Sequence, residues 1–234
     1  MHLSRNLTIK IHFLFDQMIP PVLRDRRFFM WLPMKMLYKH KAHVFLDFKE
    51  RAFTLSKKEY ANVYREVAPV NVERETDMNK ECIAAVLDNI VGKTVLEVGC
   101  GKCYLSNLMA EKFSVTSTDI VIDPQYPKKH TNIKFIEADI EQLPFPDKSF
   151  DTVVSSHTLE HVQNIHKSVQ ELRRVTRRRL IIVVPKQRPY KHTFDLHLHF
   201  FPYKHSLLGL MGTECRRNFI SVRGGDLFYY EDRD

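Results

Sequence analysis

The chain lacks any uncharged apolar run of about eighteen residues, which excludes a sequence-evident membrane-spanning helix. Its beginning, Met1 to Lys10, has no apolar stretch behind a basic start and no small-residue cleavage site, so no secretory signal is read there and a cytoplasmic protein is expected. Cys82, Cys100, Cys103 and Cys215 form no spaced disulfide framework. Cys100 and Cys103 spell C-x-x-C, but a redox or zinc role would need a second pair or a thioredoxin-like context, and neither is present. Internal repeats, low-complexity tracts and a recognisable RNA-binding module are also missing, and this argues against a nucleic-acid partner.

What is present suffices for one full core with an appendage: 234 residues, 44% of them hydrophobic. The positive charge is concentrated at the front. Residues 1–60 hold 12 Lys and Arg against 5 Asp and Glu, which accounts for most of the net +8 of the whole chain. The same region carries bulky runs, Ile11 to Phe15 and Arg26 to Leu32, broken by Pro20-Pro21 and Pro33. Two readings stand. One is a helical cap whose apolar face packs on the core; the other is an interfacial surface for a membrane or another anionic partner. The expected division is residues 1–75 as a helical, substrate-selecting cap and 76–234 as the main domain.

From Thr76, a candidate N-cap, Ile83, Val86, Leu87, Ile90 and Val91 recur at helical spacing up to Gly92. Strands are then expected over 94–98, 114–118, 134–138, 150–155 and 180–184, with helices over 104–112 and 164–175. This alternation predicts an α/β fold with a mainly parallel sheet covered by helices on both faces. Near the end, Gly224-Gly225 between two β-like runs predicts an antiparallel hairpin.

Val95 to Val98 followed by Gly99-Cys100-Gly101 reads as a buried strand turning sharply into a helix, where backbone can approach a ligand. Asp119 closes the second strand, and an acid there suits a ribose diol at the carboxyl edge of an open sheet. A nucleoside-containing cofactor is therefore expected. A dinucleotide site would want a further glycine at position 104, where this chain has Tyr104. Glu97 would repel a pyrophosphate and attract an ammonium or sulfonium cation.

Glu97-Val98-Gly99-Cys100-Gly101, Asp119, Glu137-Ala138-Asp139 and Phe150 to Ser155 with Leu159-Glu160-His161-Val162 resemble the class I S-adenosylmethionine-dependent methyltransferases, within them the broad type 11 group. The resemblance covers roughly residues 76 to 234. It implies a Rossmann-like seven-stranded, mainly parallel sheet ending in an antiparallel hairpin, with S-adenosyl-L-methionine as cofactor. Carried over by position, it implies that Glu97, Gly99, Cys100 and Gly101 line the methionine end and Asp119 holds the ribose hydroxyls. It further implies that Ile120 packs on adenine, Asp139 accepts from the adenine amino group with Ile140 beside it, and Ser155 and Ser156 sit near the transferable methyl. The family often has glycine where this chain has Cys103. Asp119 and Asp139 also admit a plainer reading as strand-end turn formers.

Methyl transfer from a sulfonium is an in-line displacement governed by alignment, and a hydroxyl acceptor also gains from a base. Histidine suits that role near neutral pH. The candidates are His157 and His161 in His157-x-x-Glu160-His161, and His197 and His199 in the loop after the fifth strand. On a helix, positions 157, 160 and 161 would share one face. Helix capping, a base or substrate-orienting role, and a divalent metal are the three readings of that triplet, and no metal site is assigned. Asp195, His197 and His199 would share one face of an extended segment. The arginines at 173–174 and 177–179 are expected at the amino edge of the sheet as a solvated basic cluster. The expected function is O-methylation of a small molecule, lipid or glycan. The alternatives are methylation of RNA or protein, and a catalytically degenerate membrane-peripheral binding protein.

Overall fold

A computed structural model describes residues 11, 13–67, 75–212, 215 and 217–233. The chain forms two compact units, one of residues 1–74 with 187–200, the other of 75–186 with 201–234. None of the helices among the described residues is long and apolar enough to cross a membrane.

In the first unit, α1 (Pro21–Arg24) leads into α2 (Arg27–Tyr38), α3 (Ala42–Arg51) and α4 (Lys57–Val67). Its core gathers Met30 and Met34 of α2, Phe45 and Phe48 of α3 and Tyr60 of α4. Tyr38 stacks on Phe45 with ring centroids 3.8 Å apart. Pro33, expected to interrupt the helix, lies inside α2. Proline there removes one intrahelical hydrogen bond, and packing of Met30, Met34 and Tyr38 holds the helix together across it. Residues 187–200 belong to this unit. Phe194 meets Phe15 edge-on, the Arg24 guanidinium donates to the Pro189 carbonyl at 3.1 Å, and Lys49 donates to the Tyr190 carbonyl at 2.5 Å.

The second unit is an α/β sandwich around a seven-stranded sheet. Helix α5 (Lys80–Asn89) precedes β1 (Thr94–Val98), followed by α6 (Tyr104–Ala110), β2 (Ser114–Asp119), α7 (Tyr126–Lys129) and β3 (Ile133–Glu137). Then come β4 (Phe150–Ser156), α8 (Ile165–Val175), β5 (Thr176–Pro185), α9 (Lys204–Met211), β6 (Asn218–Arg223) and β7 (Asp226–Asp232). The strand order is β3-β2-β1-β4-β5-β7-β6. Strands β1 to β5 pair in parallel and β7 runs antiparallel between β5 and β6. The order reverses between β1 and β4, and a ligand crevice is expected beyond the carboxyl ends there.

Strand alternation sorts the core into two layers. Leu96, Val98, Leu180, Ile182 and Val184 face α8 and α9, whereas Val95, Val154, Ile181 and Val183 face α5 and α6. The hairpin turns at Gly224 and Gly225, whose φ values of 52° and 98° suit glycine. Two local expectations differ. The cap of α5 is Asn79, whose Oδ1 accepts the Cys82 N–H at 2.9 Å; Thr76 instead closes a tight turn onto Met78. The arginine run is mostly paired rather than solvated. Arg173 is buried and holds Glu231 at 2.7 Å, Arg174 holds Glu171 at 2.7 Å, Arg177 holds Asp151, and Arg179 holds Asp232 at 2.7 Å. Strand β5 therefore starts at Thr176, and those arginines tie it to its neighbours.

Candidate active site

The loop after β1 hooks onto the tip of β2. Gly99 and Cys100 both donate their N–H groups to the Thr118 carbonyl, at 2.8 and 3.0 Å, and Gly101 donates to Asp119 Oδ2 at 2.8 Å. Gly99 has φ 81°, and a β-carbon on it would lie 2.0 Å from Thr158 Oγ1. Gly101 has φ 49°, yet nothing lies within 4 Å of the position a β-carbon would take. Gly99 is thus bare because Thr158 occupies the space, whereas Gly101 faces an open cradle. That open backbone beside a strand-end carboxylate fits a nucleoside cofactor that approaches main chain closely.

Beneath the loop, Glu97 is buried on the β1 face that also carries Val95. Ser106 of α6 donates to its carboxylate, and Ser106 Oγ is 2.6 Å from Ser117 Oγ of β2. Burial pushes the Glu97 carboxyl up to about 8, against the Ser106 hydrogen bond and with help from the nearby Asp119 charge. Glu97 is therefore the floor that joins β1, β2 and α6. Burial also raises Asp119, while the N–H groups of Gly101, Val121 and Ile120 oppose that shift. Sequence reasoning missed Ser106 and Ser117. Their signal was available: each is a hydroxyl at a position whose periodicity points inward, beside Leu105 and Met109 on the helix and Val115 on the strand.

The other expected cofactor residues lie along the same edge. Ile120 is half-buried directly after Asp119. Asp139 follows β3 and accepts the Glu141 N–H at 2.9 Å, which makes it a turn former in this structure. Ile140 is buried in the core with Leu143 and Val162. Ser155 is the last but one residue of β4, and its buried hydroxyl has no hydrogen-bond partner among the described residues. Cys103 adopts φ 61°, the left-handed conformation glycine takes without strain, so the preference for glycine at this place has a backbone cause. Its Sγ lies 3.7 Å from Cys100 Sγ. The hydrogen bond with Cys103, burial and the neighbouring carboxylates all push the Cys100 thiol up, which opposes thiolate chemistry.

The His157-x-x-Glu160-His161 triplet does not share a helix face. His157 sits just past β4 with φ 50°, and only Leu159–His161 form a single tight turn. His157 Nε2 faces Asp226 Oδ2 at 3.5 Å and Nδ1 faces Glu160 Oε1 at 3.7 Å. Burial would lower its pKa, but the Asp226 and Glu160 carboxylates outweigh that and raise it to about 9. These carboxylates favour the protonated imidazole, the form that orients neighbours rather than accepts a proton. Asn79 Nδ2 donates to Asp226 Oδ2 at 2.7 Å, so the α5 cap, the start of β7 and the turn after β4 form one network. Asp226 and Asn79 carry no short motif and went unread in the sequence. His161 Nε2 lies 4.0 Å from Glu160 Oε1.

The remaining two histidines sit in the first unit and differ from each other. His197 is buried, with Nδ1 2.6 Å from Gln187 Oε1 and 3.3 Å from Asp195 Oδ1. Gln187 Oε1 lies at hydrogen-bond distance and can accept from Nδ1, which favours the tautomer protonated there. His199 is half-buried and packs edge-on against Phe53.

Comparison with known proteins agrees with this geometry. Residues 96–184 match the family model described as a methyltransferase domain. The 2-methyl-6-phytyl-1,4-hydroquinone methyltransferase of Synechocystis sp. is 37% identical over 100 residues, 40% of this chain and 31% of its own. The fatty-acid O-methyltransferase of Mycolicibacterium smegmatis is 29% identical over 128 residues, 49% of this chain and 47% of its own. The chain thus spans about a third to a half of the length of such curated relatives. Among solved structures, Burkholderia thailandensis 1,6-didemethyltoxoflavin-N1-methyltransferase, with bound 1,6-didemethyltoxoflavin and S-adenosylhomocysteine, superposes with a TM-score of 0.58. It does so at 17% identity, over 79% of this chain and 89% of that one, which speaks for the fold. The sheet order, the glycine loop with its strand-end acids and the family match over residues 96–184 all make this part of the chain similar to the class I S-adenosylmethionine-dependent methyltransferase domains.

Proposed function

We propose that the protein transfers a methyl group from S-adenosylmethionine to an oxygen of a small-molecule, lipid or glycan acceptor. The observation that carries this reading is the open cradle at Gly101, hydrogen-bonded to Asp119 at the carboxyl edge of the sheet. Gly99, Cys100 and Gly101 would hold the methionine end over the Glu97 floor, Asp119 the ribose hydroxyls, and Asp139 the adenine amino group. Ile120 and Ile140 would flank the adenine, and Ser155 would stand near the methyl. When bound, the cofactor supplies a methyl on a sulfonium that is already a good leaving group.

The protein's contribution is then alignment, on the order of 7–11 kcal/mol when donor and acceptor are held in near-attack geometry. A base adds roughly 10²- to 10⁴-fold for a hydroxyl acceptor. His161, His197 and His199 are the candidates for receiving that proton or orienting the acceptor. His157, held as a cation, orients its neighbours Glu160 and Asp226. Relatives named for a phytyl hydroquinone and a fatty acid favour a lipophilic acceptor of this size over a macromolecule. The basic N-terminal region is the part of the chain suited to contact with an anionic lipid surface.

The test is transfer of radiolabelled methyl from S-adenosylmethionine to fatty acids and to demethylated phytyl hydroquinones. Label that partitions into organic solvent supports the reading. Label that stays with protein or RNA in a total extract, with none in the organic phase, contradicts it.

A further inference from the structure

Helix α2 is apolar on both sides. Met30, Met34 and Tyr38 recur every four residues on the buried side. The opposite side, at the spacing i, i+3, i+4, i+8, presents Phe28, Trp31, Leu32 and Met36, which are 76%, 50%, 58% and 71% exposed. A surface helix of a soluble domain ordinarily places charged and polar residues there. A contiguous exposed apolar face instead marks an interaction site.

The charge around this face identifies the partner. Lys35 falls on the same side of the helix as Phe28 and Leu32, at i+7 from Phe28, and Lys39, the residue that ends the helix, is exposed directly after it. No acidic residue occurs from Arg26 to Leu46, a stretch with five Lys and Arg. Arg27 and Lys41 are held by Asp47 and Glu66, and Arg26 before the helix donates to the Val22 carbonyl, so Lys35 and Lys39 set the sign beside the face. A second copy of the chain would bring these positive charges against themselves across a two-fold contact. An anionic bilayer matches on both counts. Its headgroups attract the lysines, whose stems lie along apolar surface while the ammonium stays in water, and its acyl boundary takes up the apolar side chains. Tryptophan is favoured at that depth.

We propose that α2 docks the protein on the surface of an anionic lipid bilayer through the face formed by Phe28, Trp31, Leu32, Lys35 and Met36, with Lys39 beside it. The inference is independent of the cofactor and of the reaction.

Trp31 is the sole tryptophan of the chain and reports on this face directly. The full chain is titrated with vesicles of phosphatidylcholine alone, or with about three parts in ten phosphatidylglycerol. The expected result is a blue shift of Trp31 emission and co-sedimentation with the anionic vesicles only, both weakened by added salt. The variant Phe28→Ser/Leu32→Ser/Met36→Ser keeps the reporter and alters only exposed positions. It is expected to lower partitioning by about tenfold or more, with affinity for S-adenosylhomocysteine unchanged. Lys35→Glu/Lys39→Glu is expected to abolish the preference for anionic vesicles. No vesicle-dependent shift, or binding indifferent to lipid charge, overturns the proposal. So does a blue shift that follows protein concentration without vesicles and vanishes in the triple variant, which would identify a second copy as the partner.

Discussion

In the sheet unit the bulky side chains go inside and the polar ones that follow them are consumed in pairs: Glu97 with Ser106, Arg173 with Glu231, His157 with Asp226. In the helical unit the reverse holds along its first half. Among the described residues, ten of the thirteen large apolar side chains that stand exposed lie between Phe13 and Phe53. A chain that buries arginine and glutamate in one unit while leaving phenylalanine and tryptophan outside in the other does not lack apolar residues for its core. The difference teaches that the outer face of the helical unit is shaped for contact, whereas the interior of the sheet unit is shaped to hold a loop still.

The sharpest way to break this contrast is to unpair the sheet unit's buried ion pair. Arg173→Ala leaves the buried Glu231 with only the more distant Arg233, at 3.6 Å, as a cation and is expected to cost up to about 3–5 kcal/mol, measured by urea unfolding. Next is the cradle. Gly101→Val places a β-branched side chain at a left-handed φ and fills the open space, so affinity for S-adenosylhomocysteine is expected to fall at least about 100-fold by calorimetry, with the sheet's circular dichroism retained.

A smaller effect is expected at the His157 network. A histidine whose pKa is raised from 6.5 to about 9 stabilises the fold fully below pH 6.5, and that contribution is lost as pH rises through about 9. Asp226→Asn removes the main carboxylate, so at pH 6 to 7 it is expected to cost on the order of 1–3 kcal/mol. The loss of stability between pH 6.5 and 9 should flatten in the same variant, as read from unfolding midpoints at several pH values. Substitution at the exposed face of α2 should do least to folding. Trp31→Ser is expected to change stability by no more than about 0.5 kcal/mol, because the residue is an exposed position away from caps and core. A large loss there would mean that the exposed face supports the fold after all.

How much of this was legible in the sequence follows from where the physical information is local. Near-continuous apolar runs such as Val95 to Val98 and Leu180 to Val184 declared their buried strands, and Gly224-Gly225 declared the hairpin. The glycine loop and Asp119 were readable because backbone conformation and strand ends leave residue-type signatures. Asp226 and Asn79 were not, because they meet His157 only after β7 has inserted beside β5, across nearly 150 positions of chain. The same kind of non-local pairing concealed that Arg173, Arg177 and Arg179 bind acids on β7 and β4. Tyr190 to Tyr203 were read as a loop, and no helix or strand forms there; which unit the loop belongs to was not legible. Its buried aromatic residues Tyr190 and Phe194 join the helical unit.

The central claim is that the loop from Gly99 to Gly101, braced by Glu97 and Asp119, is a nucleoside cradle for S-adenosylmethionine. Isothermal titration of the full chain with S-adenosylhomocysteine tests it most directly. The account predicts one site per chain, with binding weakened at least about 100-fold in Gly101→Val and reduced in Asp119→Ala. Absence of any heat at millimolar ligand, or equal binding by the Gly101→Val and unaltered chains, would contradict it.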